Sequence, residues 1–363
     1  VLLSFLLATL SLAAPAEPLR LGIVGLVHGH VHGFLTDFRD REDLHIVGVY
    51  DTNAGLHAKY ADWYRLDRAL FFTDLERMLV KTKPEAVAVF TTTFDHRAVV
   101  ELCAKYGIDV MMEKPLAVNM EHAEAMAKAA EAGGIRVIVN YETTWYPSNH
   151  AIKHAVDAGE IGAIRKVVIH DGHRGPEEMG VDPEFLEWLV DPVLNGGGAL
   201  TDFGCYGANL LTWLLDGRPP KSVVAFTQQF KKNNPTYARV DDETNILVEY
   251  EGAVGVIQAS WNWPLPVNRK DMEVYGTNGQ MTTPNAQRAI LEKDGKSSQD
   301  MTLPALEPIR RDPLALLTAV SRGTIALSPH DPSSLANNLT VTRILDAARE
   351  SARTGRRVVL DRE

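Results

Sequence analysis

From residue 19 to about residue 140 the chain alternates short, nearly unbroken apolar runs with longer stretches in which apolar residues recur every three or four positions. The unbroken runs cover 19–26, 45–50, 86–91, 109–112 and 135–139, and helical spacing is plainest over 95–106 and 120–132. Strands without polar alternation are buried on both faces, and helices at 3.6 spacing cover them. The pattern therefore predicts a Rossmann-type, doubly wound parallel sheet over 17–140. In such sheets a ligand sits beyond the C-terminal strand ends. The polar residues gather at those ends: Asp51, Thr91 and Thr92, Glu113 and Lys114, and Asn140.

After Trp145 the rhythm changes. Runs at 165–170, 221–230, 245–250, 253–263 and 271–275 read as strands, with turn signals at Glu251-Gly252 and Thr277-Asn278-Gly279. Short turns between strands predict a large, mostly antiparallel open sheet with one face on helices. A last helix is expected over 332–354, stopped by Gly355. The fold class is thus α/β over 17–140, followed by an α+β domain over 141–363.

The first 14 residues carry no charge and lead to Ala14-Pro15-Ala16, a small-x-small pattern. The run is too short to span a bilayer, and polar sequence follows it. Residues 1–16 are expected to be a signal peptide, and the protein to be periplasmic or secreted, with no membrane segment in the mature form. A net charge of −10 argues against nucleic acid or an anionic membrane as partner. Two cysteines, Cys103 and Cys205, make no disulfide framework and are expected to be buried free thiols.

The loop after the first strand opens with Gly25 as a dinucleotide fingerprint would, but Val27 and His30 stand where the second and third glycines belong. The helix N-terminus there can still receive a phosphate. The other reading is a tight turn with no ligand. Asp51 either accepts hydrogen bonds from a ribose or caps the helix that follows. With no arginine beside it for a 2′-phosphate, NAD is expected over NADP. His28, His30 and His32 crowd the same loop, and His28 and His32 could share a helix face at metal-ligand spacing. No acidic or cysteine partner lies close in sequence, so they are expected to line a pocket, and no metal is expected.

Glu113-Lys114-Pro115 is the most specific short motif. A lysine at a central strand end projects into the ligand crevice, where desolvation lowers its pKa towards acid-base use. Asp202 and Tyr206 lie four apart, on what is expected to be one helix face. A tyrosine hydroxyl near a lysine is also a usable proton carrier, although Tyr206 could instead be a packing aromatic.

Glu113-Lys114-Pro115 resembles the signature of the glucose-fructose oxidoreductase, inositol dehydrogenase and MocA (Gfo/Idh/MocA) family. So do the Asp95-His96 turn, the stretch from Gly196 to Tyr206, the stretch 272–281 and the stretch 347–356. These span nearly the whole chain in the family's order. The resemblance is to the subset with Tyr in the usual catalytic-His place. It implies a nicotinamide cofactor, a sugar or polyol substrate, Lys114, Asp202 and Tyr206 in the active site, and dimers built through the C-terminal sheet. On this reading Gly25, Val27, His28, Asp51, Thr91, Thr92, His96, Glu113, Lys114 and Asn140 face the cofactor. Glu142, Trp145, His173, Arg174, Trp188, Asp202 and Tyr206 face the sugar, where aromatic faces and carboxylates make the contacts.

The expected activity is NAD-dependent oxidation or reduction of a sugar CH–OH group. Export favours a tightly held, internally recycled cofactor. The alternatives are a redox-neutral glycosidase or lyase of the same fold, and a nucleotide-independent sugar-binding protein or metal-assisted hydrolase.

Overall fold

The computed structural model describes residues 17–38, 41–264, 268–293 and 295–360. The expected signal segment lies outside them. The first domain is a six-stranded parallel sheet of β1 (Leu19–Val24), β2 (Leu44–Tyr50), β3 (Phe71–Phe72), β4 (Ala86–Val89), β5 (Asp109–Glu113) and β6 (Val137–Asn140). The strands lie in the order β3-β2-β1-β4-β5-β6. Helices α1 (Val31–Phe38), α2 (Ala54–Tyr64), α3 (Leu75–Thr82), α4 (His96–Tyr106) and α5 (Met120–Gly133) connect them. The order reverses at β1, between β2 and β4, which opens a crevice at the carboxyl ends of those strands. Gly25 leaves β1 at φ +88, and a Cβ there would lie 2.7 Å from the Phe90 carbonyl. Only glycine allows that approach.

The second domain begins with α6 (Pro147–Asp157), β7 (Ile164–Gly172), α7 (Pro176–Met179), α8 (Pro183–Leu189), α9 (Ala199–Asp202) and α10 (Gly204–Leu214). Six further strands complete most of the sheet: β8 (Ser222–Gln228), β9 (Glu243–Tyr250), β10 (Ala253–Ser260), β11 (Arg269–Gly276), β12 (Gly279–Asn285) and β13 (Arg288–Lys293). The chain closes with β14 (Gln299–Asp300), α11 (Pro313–Ser321), α12 (Leu335–Thr354) and β15 (Val358–Val359). The nine strands run β14-β13-β12-β11-β7-β10-β9-β8-β15, and only the β7–β10 pair is parallel. The mostly antiparallel sheet expected from the sequence is what forms.

One face of this sheet packs on α10 and α12. The other presents Val224, Phe226 and Leu247 to solvent. Helix α10 lies close on β10 because Gly207 has no side chain; a Cβ there would sit 2.5 Å from Cγ2 of Ile257.

Three local expectations are corrected. The helix after β2 is capped by Asn53, whose side chain accepts from Gly55 N, so Asp51 is not its cap. The last helix begins at Leu335 behind a Ser334 cap. Arg310-Arg311-Asp312, a run of charges that reads from the sequence alone as solvated loop, is instead a structural anchor: Asp312 caps α11 and pairs with Arg41, and Arg310 pairs with Asp331. Helix α11 then returns to the first sheet. Its Leu314, Leu316, Leu317 and Val320 share a core with Ile23, Phe90, Met111 and Ile138.

Replacing Gly207 by Ala forces a methyl into this helix-sheet contact. It should cost about 1–3 kcal/mol, the usual penalty of overpacking, read from urea unfolding midpoints. An unchanged midpoint would show that α10 and β10 can separate freely.

Candidate active site

Lys114 leaves the end of β5 and reaches the C-terminal end of α9, where it forms a buried ion pair with Asp202. The Lys114 ammonium also donates to the Asp202 backbone carbonyl at 3.2 Å. The second Asp202 oxygen accepts from the Trp261 indole at 3.0 Å. Burial alone would push Lys114 down, but Asp202 outweighs it, and the ammonium is held above its ordinary value. Asp202 is held low by the same partner against its own burial. Lys114 is therefore a charged, ion-paired group, not the desolvated base that the strand-end position alone suggested.

The segment before Asp202 is fixed from two sides. Asp241 accepts from Gly198 N at 3.0 Å and Leu200 N at 2.7 Å. Arg349 of α12 donates to the carbonyls of Gly196 and Val118 at 2.9 and 2.7 Å. Asp202 and Tyr206 do not share one helix as expected, because the chain breaks at Phe203 between α9 and α10. Both nevertheless line one cavity of about 380 Å³ with Lys114, Glu142, His173 and Lys270.

Lys270 was missed in the sequence, as was Asp171 behind it. The Lys270 ammonium lies 3.8 Å from the centre of the Tyr206 ring, 2.9 Å from Glu142 and 3.8 Å from Asp171. A period-two signal was available for both: Lys270 lies on the same strand face as the buried Met272 and Val274 of β11, and Asp171 on that of Val167 and Ile169 of β7. Asp171 is 1% exposed, and its Oδ1 accepts no hydrogen bond. Burial pushes its carboxyl up to about 8; Lys270 opposes that and Glu142 adds to it. Burial, then Glu142 and Asp171, raise the Tyr206 hydroxyl well above its ordinary range. The expected lowering of Tyr206 by a nearby lysine does not occur. His173 is driven down to about 4, mainly by burial, and its Nδ1 accepts from Gly175 N at 3.0 Å.

The loop after β1 is closed over by the second domain. Leu26 N donates to Asp51 at 2.7 Å, and Asp51 also accepts from Asn53 N at 2.7 Å. His28 N donates to the Phe90 carbonyl at 3.1 Å. The Trp188 indole donates to the Val27 carbonyl at 3.2 Å, and the Phe185 and Trp188 rings pack on His28. A Cβ on Gly29 would meet Phe185 at 2.9 Å. Asp182 and Glu184, at the start of α8, reach across to His32 and Lys59. The strand-end groups fit a dinucleotide: Asp51 at one end, and Glu113, Lys114 and Asn140 at the other. The loop is packed by Trp188 and Phe185 of α8 on one side, while Gly29 and His30 open on the neighbouring groove.

The remaining expected residues fall as follows. Thr91 and Thr92 bind their own turn, the Thr91 hydroxyl donating to the Thr92 carbonyl and the Thr92 hydroxyl to Asp95. His96 is buried, and its Nδ1–H donates to the Leu116 carbonyl at 3.1 Å. Glu142 and Trp145 line a neighbouring groove with His30 and Glu113. The Trp145 indole donates to Asn140 Oδ1 at 2.9 Å. Two expected sugar contacts are corrected: Trp188 covers the loop after β1, and Arg174 is exposed, outside the cavity. His28 and His32 share no helix face, since His28 precedes α1 and His32 turns to Tyr60, Tyr64 and Asp182. Cys103 and Cys205 are buried and free.

A parallel sheet with a switch point, whose β5 end carries Lys114, meets a second domain whose helix α9 carries Asp202, and the pair closes the crevice between them. Residues 19–141 match the oxidoreductase family with the NAD-binding Rossmann fold, and residues 149–282 match the GFO/IDH/MocA C-terminal domain. The chain belongs to the Gfo/Idh/MocA family. It is 24% identical over 238 residues to trans-1,2-dihydrobenzene-1,2-diol dehydrogenase of Macaca fuscata fuscata, covering 65% of this chain and 66% of that protein. It is 27% identical over 226 residues to the D-xylose 1-dehydrogenase [NADP(+)] of Haloarcula marismortui, covering 61% of this chain and 59% of that one. The chain thus spans about two thirds or less of these relatives' lengths. Among solved structures, an inositol dehydrogenase homolog from Azotobacter vinelandii complexed with NAD+ superposes with a TM-score of 0.81 at 22% identity, covering 95% of this chain and 98% of that one. An aldose-aldose oxidoreductase from Caulobacter crescentus gives 0.78 at 23%, covering 94% and 100%. These likenesses establish the shared fold.

The Lys114–Asp202 pair makes stability flat across the middle pH range. The Asp202 contribution is present above the unfolded carboxylate pKa and is lost only as pH falls through its lower folded value. The Lys114 contribution persists below the unfolded amine pKa and is lost only as pH rises through its higher folded value. Asp202→Asn should cost roughly 3–5 kcal/mol near neutral pH by leaving a buried ammonium unpaired. With burial alone acting on Lys114, the variant should regain stability as pH rises. Urea unfolding at pH 6 and pH 9 measures this; equal losses at both would mean that the ammonium has found another partner.

Proposed function

We propose that the chain is an NAD-dependent oxidoreductase acting on a CH–OH group of a sugar or polyol. The observation that carries this is the buried Lys114–Asp202 pair opening on a polar cavity that also holds Tyr206, Glu142 and Lys270. Asp51, Glu113, Lys114 and Asn140 would hold the dinucleotide. A nicotinamide bound there supplies the hydride acceptor or donor. Lys114 stays protonated, so it stabilises the negative charge that develops on the substrate oxygen, and in the reductive direction it can deliver a proton to that oxygen. Tyr206 stays neutral, a hydroxyl able to donate and accept. Glu142 and Lys270 together offer an acceptor and a donor to neighbouring hydroxyls of the substrate.

Asp51 opposes a 2′-phosphate, which favours NAD over NADP. A signal peptide at 1–16 and an exported location go with a cofactor held through turnover and recycled in place. A redox-neutral lyase or glycosidase would draw on the same groups. The apolar face carrying Val224, Phe226 and Leu247 would be covered by a second copy of the chain.

Protein purified without added nucleotide and then denatured should release close to one nicotinamide nucleotide per chain. Active protein that carries none and gains nothing from added NAD would end this reading. Across a panel of sugars and polyols, Lys114→Met should lower turnover by about 10²–10⁴, the range of general acid-base catalysis, while Tyr206→Phe tests the hydroxyl alone. Normal turnover in Tyr206→Phe would reduce that residue to packing beneath Lys270.

A further inference from the structure

We propose that His28, His30 and Glu113 form a binding site for a divalent transition-metal ion, with an open coordination position facing the sugar cavity. This rests on the geometry of the loop after β1 and does not depend on the dehydrogenase reading. Each of the three residues offers one donor atom, and the three atoms lie within 4.8 Å of one another. His30 Nδ1 is 2.9 Å from Glu113 Oε2, and the two imidazole rings meet edge to face with centroids 4.6 Å apart. The acidic partner absent from the local sequence is supplied by the end of β5.

The donor set is organised in the manner of a metal site. Asn140 donates to Glu113 Oε1 at 2.7 Å, which orients the carboxylate and turns Oε2 to the histidines. Outer hydrogen bonds of this kind fix metal ligands. Glu113 and His28 are 3% and 2% exposed, so two of the three ligands are held in place by packing. His30 is exposed, and its Nδ1 already lies at hydrogen-bond distance from Glu113 Oε2. Bonds of 2.0–2.1 Å in a tetrahedron bring donor atoms to roughly 3.4 Å from one another, at most about 1.4 Å closer than the 4.8 Å within which these atoms lie.

His28 Nδ1 accepts from His30 N at 3.2 Å, and a metal on either ring nitrogen costs that hydrogen bond, at Nδ1 directly and at Nε2 because the ring proton moves to Nδ1. The Lys114 ammonium nearby is paired with Asp202, and Glu113 brings a carboxylate held by His30 and Asn140. Two imidazoles and one carboxylate suit zinc, cobalt or iron. Calcium and magnesium prefer oxygen ligands alone.

His30 lines both the groove with Trp145 and the cavity with Lys114 and Tyr206. A fourth position on the metal would therefore meet solvent or a substrate oxygen. Three protein ligands and one open position is the arrangement of catalytic metals, which polarise a bound hydroxyl or carbonyl. His30 stands in the third glycine place of the fingerprint and His28 just after the second. The His30 that replaces the third glycine is also one of the ligands.

The test is titration of chelator-treated protein with Co²⁺, followed by its visible d–d absorption. The expected result is saturation at one ion per chain, with Zn²⁺ displacing the signal. His30→Ala and Glu113→Gln should each weaken binding by about 10-fold or more, and His32→Ala, outside the donor set, should not. His30 is exposed, so its variant should keep the urea midpoint of the parent. No stoichiometric absorption in the parent, or unchanged affinity in folded His30→Ala, overturns the site. Nucleotide released on denaturation of the same preparation separates the two readings. Protein that carries nucleotide but binds no cobalt overturns the metal and leaves the dehydrogenase standing; the reverse result does the opposite.

Discussion

A lysine and an aspartate buried together must each be desolvated, and only their mutual attraction and further hydrogen bonds offset that cost. Lys114 and Asp202 come from different domains, so their pairing sets how the two sheets approach each other. Trp261 from the end of β10 and the Asp202 carbonyl complete the coordination of the two charges. Asp241 and Arg349 then hold the chain on either side of α9. The crevice, the cavity and the position of Tyr206 all follow from this contact. A neutral substitute on either side would leave one charge without a counterion in the interior.

What the sequence revealed depended on how local its physics was. The strands of the first sheet are apolar throughout and could be read directly, and so could the lysine at the end of β5. The two-residue β3 has no period to detect. The helical break at Phe203 was hidden, because Gly204 weakens a helix without marking where it stops. Lys270 sits in the charged run Arg269-Lys270-Asp271, which resembles a solvated turn until its shared strand face with Met272 and Val274 is counted. Glu113 and His30 are 83 residues apart, and nothing short of the fold brings them to hydrogen-bonding distance. The pKa direction of Lys114 depends on Asp202, contributed by a distant segment, and that of Tyr206 on burial first and then on Glu142 and Asp171.

Helix α8 links the two ends of the site. Its residues bind the loop after β1 through Trp188 and reach α2 through Glu184, while Phe185 and Leu189 also border the cavity. A ligand that lifts α8 from the loop therefore alters the wall of the cavity. Binding in one compartment is coupled to shape in the other through a single short helix, and the coupling energy is bounded by the contacts that helix gives up.

Helix α11 packs its leucines under β4, β5 and β6, although some 170 residues separate it from the last of those strands. During synthesis α1 and α2 can cover part of this face early, Phe34 packing on Phe90, but Met111 and Ile138 lack the α11 leucines until the chain has been made past Val320. Apolar surface left open in this way is the condition under which larger proteins misassemble. The first domain thus becomes a finished folding unit only after most of the second has emerged, and a chaperone that holds the nascent chain would find its binding surface there.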